Sequence, residues 1–169
     1  MSGDTARDIA SLKNELAGYQ KRGYYLNPDI DFTDALLESL IVNESRYGYR
    51  ACPCRLAMGK RAEDLDIICP CDYRDPDVSD FGACYCGLYV SQRISKGNGA
   101  ARPIPERRPP REERIKMDEE KQSTGSTDCR ALEYPVWRCS VCGYICARDE
   151  APNPCPICGV SKDRFTRFC

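Results

Sequence analysis

The sequence predicts a mainly α N-terminal domain over residues 1–95, a flexible charged linker over 96–133 and a small β/knuckle domain over 134–169. Three observations support this organisation. Apolar residues recur with helical spacing near the N-terminus, prolines and alternating charges dominate the middle of the chain, and cysteines are dense in both end segments. Thirteen of the 169 residues are cysteine and none is histidine, so the chemistry is expected to depend on thiols.

Two helices are predicted at the N-terminus. The first begins after Asp4 or Thr5 and is closed by Gly23. Its apolar face consists of Ile9, Leu12, Leu16 and Tyr19. The second begins at Asn27-Pro28 and runs to about Tyr47, because Asn is a favoured N-cap and Pro a favoured first helical residue. Its apolar face consists of Leu36, Leu37, Leu40 and Ile41. We interpret both faces as core.

Residues 50–90 are predicted to form functional loops between short helical pieces at 62–68 and 87–92. Prolines and glycines in this region argue against extended strands. The segment 96–133 has few large apolar side chains and is interpreted as a solvated linker. A docking site for an acidic partner at 102–114 is the alternative interpretation of its charges.

Composition favours a cytoplasmic metal or redox protein. The net charge of -1 gives no indication of nucleic-acid binding. No apolar run approaches the ~18 residues of a membrane span, and the polar segment Met1–Asp8 lacks the apolar core of a signal peptide. Disulfide scaffolds belong to secreted chains, so the thiols are expected to be metal ligands or catalytic groups.

The C-terminal domain contains two Cys-x-x-Cys units separated by 12 residues. Their cysteines are Cys139, Cys142, Cys155 and Cys158. Two such units make a tetrahedral four-sulfur site that suits zinc or iron. A zinc ribbon that only stabilises the domain is the alternative to a redox centre. The cysteines outside this pattern, interpreted as spare thiols, are Cys129, Cys146 and Cys169.

The residues around these units resemble a rubredoxin. The shared pattern is Trp137-Arg-Cys-Ser-Val-Cys-Gly-Tyr144, followed by Pro154-Cys-Pro-Ile-Cys-Gly159 and Phe165. Its spacing is similar to that of the short rubredoxin domain of rubrerythrins. The resemblance covers roughly residues 135–166 and implies one iron that cycles between ferrous and ferric, with zinc as the substitute metal.

Three Cys-x-Cys motifs lie in the N-terminal domain, with 14 residues between the first two and 12 between the last two. They are Arg50-Ala-Cys-Pro-Cys-Arg55, Ile68-Cys-Pro-Cys-Asp72 and Ala83-Cys-Tyr-Cys-Gly87. A four-iron cluster needs four thiolates, so two of the six cysteines remain for a redox disulfide. Spacing alone does not decide which four bind iron, and a set of purely structural clusters or zinc sites is the alternative.

Residues 27 to about 92 resemble the catalytic chain of ferredoxin:thioredoxin reductase. The matching segments are Tyr47-Gly-Tyr-Arg-Ala-Cys-Pro-Cys-Arg-Leu56, Asp66-Ile-Ile-Cys-Pro-Cys71 and Cys84-Tyr-Cys86. The resemblance implies a [4Fe-4S] cluster, and its ligands would be Cys52, Cys69, Cys71 and Cys84. It also implies a redox disulfide between Cys54 and Cys86.

The same resemblance implies a ferredoxin-dependent enzyme that reduces thioredoxin or another protein disulfide. Ferredoxin gives one electron at a time, whereas a disulfide needs two. In this family the first electron opens the disulfide, so that Cys54 attacks the target while Cys86 bonds to the cluster. The second electron releases Cys86, which resolves the mixed disulfide. Tyr85 replaces a histidine of the plant-type pattern and is the third catalytic candidate, because a phenol can donate a hydrogen bond although it is a poor base at neutral pH.

Electron delivery is less strongly specified by the sequence. Basic side chains around the first motif could steer an acidic ferredoxin or simply form a solvated face. They are Arg46, Arg50, Arg55, Lys60 and Arg61. The rubredoxin-like tail is expected to relay electrons, because tethering raises its effective concentration. The rival hypotheses are a zinc-ribbon tail that binds a protein partner and a non-catalytic iron–sulfur carrier. No nucleic-acid or membrane partner is expected.

Overall fold

The computed structural model describes residues 3–18, 20, 23–116 and 133–168, and the chain divides into two compact units, Met1–Pro105 and Glu106–Cys169. The first unit is mainly helical and the second contains a small sheet, which confirms the predicted fold class. The domain boundaries at 95 and 134 stay predictions. Three residues singled out in the sequence lie outside the described residues: Tyr19, Cys129 and Cys169.

Two helices form the scaffold of the first unit, α1 at Gly3–Ala17 and α2 at Ile30–Tyr47. Their buried residues are Ile9, Leu12, Leu16, Leu36, Leu37 and Leu40, and Ile41 packs against this core. The apolar faces predicted from helical spacing are therefore core. The predicted ends of α1 are wrong, because the helix includes Asp4 and Thr5 and ends six residues before Gly23.

The start of α2 also differs from the prediction. Its N-cap is Asp29, whose carboxylate accepts a hydrogen bond from the backbone N–H of Phe32, and Gly48 ends it in the left-handed conformation. Asn27 lies upstream, where its side chain accepts a bond from the Asp29 N–H and donates to the carbonyl of Gly87. This long-range bond links the start of α2 to the third cysteine motif.

The segment that carries the cysteine motifs contains strands and a helix that the sequence analysis did not predict. The elements of this segment and its end are a 3-10 turn at Leu65–Ile67, α3 at Arg74–Phe81, β2 at Tyr89–Val90 and α4 at Gln92–Ser95. The strand that pairs with β2 is β1 at Tyr25–Leu26, which precedes α2. The two strands form an antiparallel ribbon. The predicted helical piece at 87–92 is therefore wrong, and only a short 3-10 turn forms within 62–68.

The start of the predicted linker contacts the first unit. Ile104 packs against the cluster of Ala83, Val90 and Ile94. Residues 111–116 are helical. The segment 117–132 lies outside the described residues.

The second unit contains a three-stranded antiparallel sheet. Its strands are β3 at Val136–Cys139, β4 at Ile145–Ala147 and β5 at Phe165–Arg167, in the order β4-β3-β5. Trp137 in the central strand donates a hydrogen bond from its indole N–H to the carbonyl of Arg148 (2.9 Å). Of the helices in the described parts of both units, none combines the length and apolar character needed to cross a membrane.

Candidate metal and redox centres

Backbone hydrogen bonds bring the first two cysteine motifs together. The N–H of Cys52 donates to the carbonyl of Ile67, and the N–H of Cys69 donates to the carbonyl of Arg50, both at 2.8 Å. These bonds flank an antiparallel bridge between the two segments. This short, strand-like pairing brings together two cysteine-containing loops that are distant in sequence.

The third motif is held by a tight turn next to β2. The N–H of Cys84 donates to the carbonyl of Tyr89, and the N–H of Gly87 donates back to the carbonyl of Cys84 (2.7 Å). Gly87 has φ +78°, and a Cβ at this position would lie 3.1 Å from the Phe32 ring. Glycine is therefore required here by both the backbone conformation and the close approach of α2.

The four predicted cluster ligands are largely withdrawn from solvent. Cys52, Cys71 and Cys84 are buried, and Cys69 is half-buried. The backbone N–H of Tyr89 donates to the sulfur of Cys84 (3.3 Å). Burial and neighbouring thiols raise the pKa of Cys69 well above its ordinary value and that of Cys71 to about 12. Hydrogen bonds with Cys86 instead lower the pKa of Cys52 and that of Cys84. Positive metal charge is therefore what would stabilise Cys69 and Cys71 as thiolates.

A buried arginine supports the fit of an anionic iron–sulfur cluster. Arg74 is 2% exposed, its Nε donates to Asp75 (2.7 Å), and its guanidinium lies 3.8 Å from the centroid of the Tyr24 ring. No described residue accepts a hydrogen bond from its Nη2, although an unsatisfied buried donor costs about 1–3 kcal/mol. Its charge opposes the burial-driven rise in the pKa of Cys69. The negative charge of a sulfur-rich cluster held by the cysteines would offset this buried positive charge.

The other two cysteines of the motifs differ in accessibility. Cys54 is exposed, whereas Cys86 is 8% exposed. Cys86 shares hydrogen bonds with Cys52, Cys54 and Cys84, and its sulfur lies 3.6 Å from that of Cys84. The bond from Cys86 lowers the pKa of Cys54 to about 7, and the bonds with its neighbours raise the pKa of Cys86. Cys86 thus contacts both the surface thiol and the buried ones.

Arg55 is the functional candidate that the sequence analysis misplaced. The sequence groups it with surface cations, but it is only 6% exposed. Its Nη1 lies 3.3 Å from the sulfur of Cys71, and its Nη2 lies 3.7 Å from the carboxylate of Asp77. The rings of Tyr73 and Tyr85 have their centroids 4.6 and 4.7 Å from its guanidinium carbon. No local sequence signal indicates this burial, because its partners lie in other segments.

The second unit brings its four predicted metal ligands together. The sulfurs of Cys139 and Cys158 are 3.7 Å apart, as are those of Cys142 and Cys155, and all four lie within 4.8 Å of one another. A tetrahedral site with metal–sulfur bonds of about 2.3 Å has sulfurs about 3.8 Å apart. The arrangement therefore suits one metal ion. Cys146 lies in β4 and is not part of this group.

Comparison with known proteins identifies two families in the chain. The model of the ferredoxin thioredoxin reductase catalytic beta chain matches residues 4–123, and that of the rubredoxin-like domain of rubrerythrin matches residues 137–166. Reverse rubrerythrin-1 from Clostridium acetobutylicum is 52% identical over 29 residues. That similarity covers 17% of this chain and 16% of the relative, so the chain matches only a small part of that protein's length.

These matches confirm both resemblances seen in the sequence. The first matched segment contains all three Cys-x-Cys motifs, and the second contains both Cys-x-x-Cys units. The first match implies an iron–sulfur redox protein of the disulfide reductase kind, and the C-terminal rubredoxin-like domain brings four cysteines together as a single candidate metal site. Because the first match spans well over half of its length, the chain belongs to the ferredoxin thioredoxin reductase catalytic beta chain family.

Proposed function

We propose that the protein is a ferredoxin-dependent reductase whose target is thioredoxin or a related protein disulfide. The observation that carries this proposal is the contact between an exposed thiol, Cys54, and a nearly buried one, Cys86, beside four further cysteines. Those four would hold a [4Fe-4S] cluster: Cys52, Cys69, Cys71 and Cys84. When bound, the cluster would pass electrons one at a time from ferredoxin, or a similar carrier, to the thiol pair.

The two thiols supply the exchange chemistry. In the reduced protein, Cys54 attacks, because only an exposed sulfur can approach a disulfide in another protein. Its thiolate forms a bond to one target sulfur, and the other target sulfur leaves as a thiolate that takes up a proton. Cys86 then attacks the Cys54 sulfur, which releases the second target thiol and closes the Cys54–Cys86 disulfide. The target gains two electrons, which the donor must return to the pair.

The C-terminal domain is proposed as an electron relay that binds iron. Its support is the four-sulfur geometry together with the match to a rubredoxin-like domain. Cys142 is half-buried, so one ligand of this site approaches the surface where a partner could exchange electrons. Zinc in this site would make the tail a structural ribbon. A cytoplasmic location is proposed because a reducing compartment maintains the thiols that both sites need.

Thiol transfer to thioredoxin tests the reductase. Anaerobic full-length protein is mixed with reduced ferredoxin and oxidised thioredoxin, and the thioredoxin thiols formed are counted by alkylation. Wild type should reduce the target, C54S should not, and C86S should stop at a covalent Cys54–target adduct. C146S is the control, since Cys146 lies outside both sites. Unchanged reduction by C54S and C86S would overturn the proposal and favour a simple iron–sulfur carrier.

Metal analysis of the same preparation tests the cofactors. A [4Fe-4S] cluster plus a one-iron site gives about five irons per chain. About four irons with one zinc would keep the reductase but make the tail structural. A chain without sulfide-bound iron after anaerobic reconstitution would contradict the proposed cluster.

A further inference from the structure

We propose that the rings of Tyr73 and Tyr85 hold Arg55 as a fixed positive charge beside Cys71 and the Cys54–Cys86 pair, and that this charge raises the reduction potential of the pair. Arg55 is then a positioning residue, and Tyr85 acts through its ring rather than its hydroxyl. This inference rests on the proposed function, because it assigns a role within the same redox site.

The geometry leaves the guanidinium of Arg55 little freedom. Its side chain is 1% exposed and its ion-pair partner Asp77 is 0% exposed. Its guanidinium carbon lies 4.6 Å from the centroid of the Tyr73 ring and 4.7 Å from the centroid of the Tyr85 ring. Arginine binds aromatic faces through its planar, weakly hydrated group. With Asp77 at one nitrogen, the other nitrogen faces the sulfur of Cys71 (3.3 Å).

The charge of Arg55 acts on several sulfurs. Its Nη1 lies 3.3 Å from the sulfur of Cys71, and its backbone directly follows Cys54 in the sequence. Sulfurs gain electron density when the disulfide is reduced, so a fixed positive charge nearby stabilises the reduced form. Hydrogen bonds and charges around ligand sulfurs tune iron–sulfur sites in the same way.

Tyr85 is one of the two rings of the clamp, the name used here for the arrangement of Tyr73, Arg55 and Tyr85. It lies between Cys84 and Cys86 in sequence, and its ring is the part that contacts Arg55. Its hydroxyl has no hydrogen-bond partner among the residues that the structure describes. In this proposal the role of Tyr85 therefore belongs to its aromatic face, and its catalytic role through the hydroxyl stays a prediction from the sequence.

Redox titration of the cluster-loaded full chain tests the clamp. The potential of the Cys54–Cys86 couple is measured by thiol labelling at defined thiol/disulfide ratios, and iron content is measured for every variant. Y85F keeps the ring and should leave the potential unchanged. Y85L should lower the equilibrium constant for reduction at least tenfold, which is about 30 mV for a two-electron couple. The double variant R55Q/D77N should shift it in the same direction, without leaving a buried unpaired carboxylate.

Arg50 provides the matched control for the loss of a positive charge. It lies two residues before Cys52, but its guanidinium pairs with Glu44 and Glu15 at the surface. R50Q should leave the potential unchanged. R55K should lower the potential less than R55Q/D77N does, because it keeps the positive charge but loses the planar stacking.

The outcomes separate the clamp from the proposed function. If no Cys54–Cys86 couple titrates in the wild type, the proposed function fails. If the couple titrates but its potential is unchanged in Y85L and R55Q/D77N, the proposed effect of the clamp on the potential is wrong and the proposed function stands. If those two variants lose iron, Y85F decides: a tenfold change in its equilibrium constant would show that the hydroxyl matters and overturn the proposal, and an unchanged value supports the ring.

Discussion

The Tyr49 hydroxyl donates a 2.7 Å hydrogen bond to the Asp64 carboxylate, and the two residues are 4% and 0% exposed. The same carboxylate accepts the backbone N–H groups of Met58 and Gly59. One buried acid therefore closes the loop that follows the first Cys-x-Cys motif. Because Cys54 lies at the start of this loop, the bond also restricts the backbone that carries the proposed attacking thiol.

The change Tyr49→Phe should lower the free energy of unfolding by about 1–2 kcal/mol, since Asp64 loses a buried donor. Burial and the bond to Asp64 raise the pKa of Tyr49 from 10.0 to about 12. The stability that the neutral phenol contributes is present below about pH 10 and is lost as the pH rises toward 12. Urea unfolding should show that the difference in unfolding free energy between wild type and Y49F becomes smaller across this pH range. Y134F, at an exposed tyrosine, is the control, and a gap independent of pH would contradict the prediction.

The change Gly87→Ala should destabilise the first unit and reduce its iron content. Alanine at φ +78° is strained, and its Cβ would press on the Phe32 ring at 3.1 Å; strain of this kind costs about 1–3 kcal/mol. Gly97 is the matched control, because it has φ +77° but a Cβ added there would meet no atom within 4 Å. Melting temperature and iron per chain should fall further in G87A than in G97A. Equal losses would mean that the contact with Phe32 is unimportant.

The change Leu40→Ala should cost about 2–5 kcal/mol of unfolding free energy, because it leaves a cavity between α1 and α2. Leu40 is 1% exposed in the core. Val42 lies on the same helix but is 46% exposed, so V42A should change stability by less than about 0.5 kcal/mol. Anaerobic urea unfolding of both variants measures the contrast. Similar values for the two would show that this helix face does not form the core.

The change Cys158→Ser should remove the metal from the C-terminal domain while leaving the cluster in the first unit. The iron content should fall by about one atom per chain, and the absorption of the ferric tetrathiolate should disappear. C146S should retain both signals, since Cys146 is outside the four-sulfur group. Loss of the one-iron signal in C146S would instead place that thiol in the site.

Local patterns predicted the parts of this protein that depend on near neighbours. Helical spacing identified Leu36, Leu37 and Leu40 as core, because periodicity is visible within a few turns. The same holds for the four cysteines of the tail, whose paired spacing fits a metal site. The two-residue strands β1 and β2 are too short to show any alternation.

Long-range polar contacts account for the rest of the difference. Asn27 has the local signature of an N-cap, yet its side chain bonds Gly87, 60 residues away. Arg55 follows a cysteine in an apparently exposed loop, yet it bonds Cys71, 16 residues away. Nothing in the residues adjacent to either position indicates these partners, because they are set by how the loops meet in three dimensions.

The Nη2 group of Arg74, which donates to no described residue, bears on the lifetime of the protein in a cell. If oxygen destroyed the cluster, this buried cation would lose a compensating negative charge, while burial favours the neutral thiol of Cys69, so the folded first unit would lose stability relative to the unfolded chain. Damaged copies would then be cleared by proteases instead of accumulating as intact but inactive molecules. Integrity of the cofactor would in this way set the lifetime of the polypeptide.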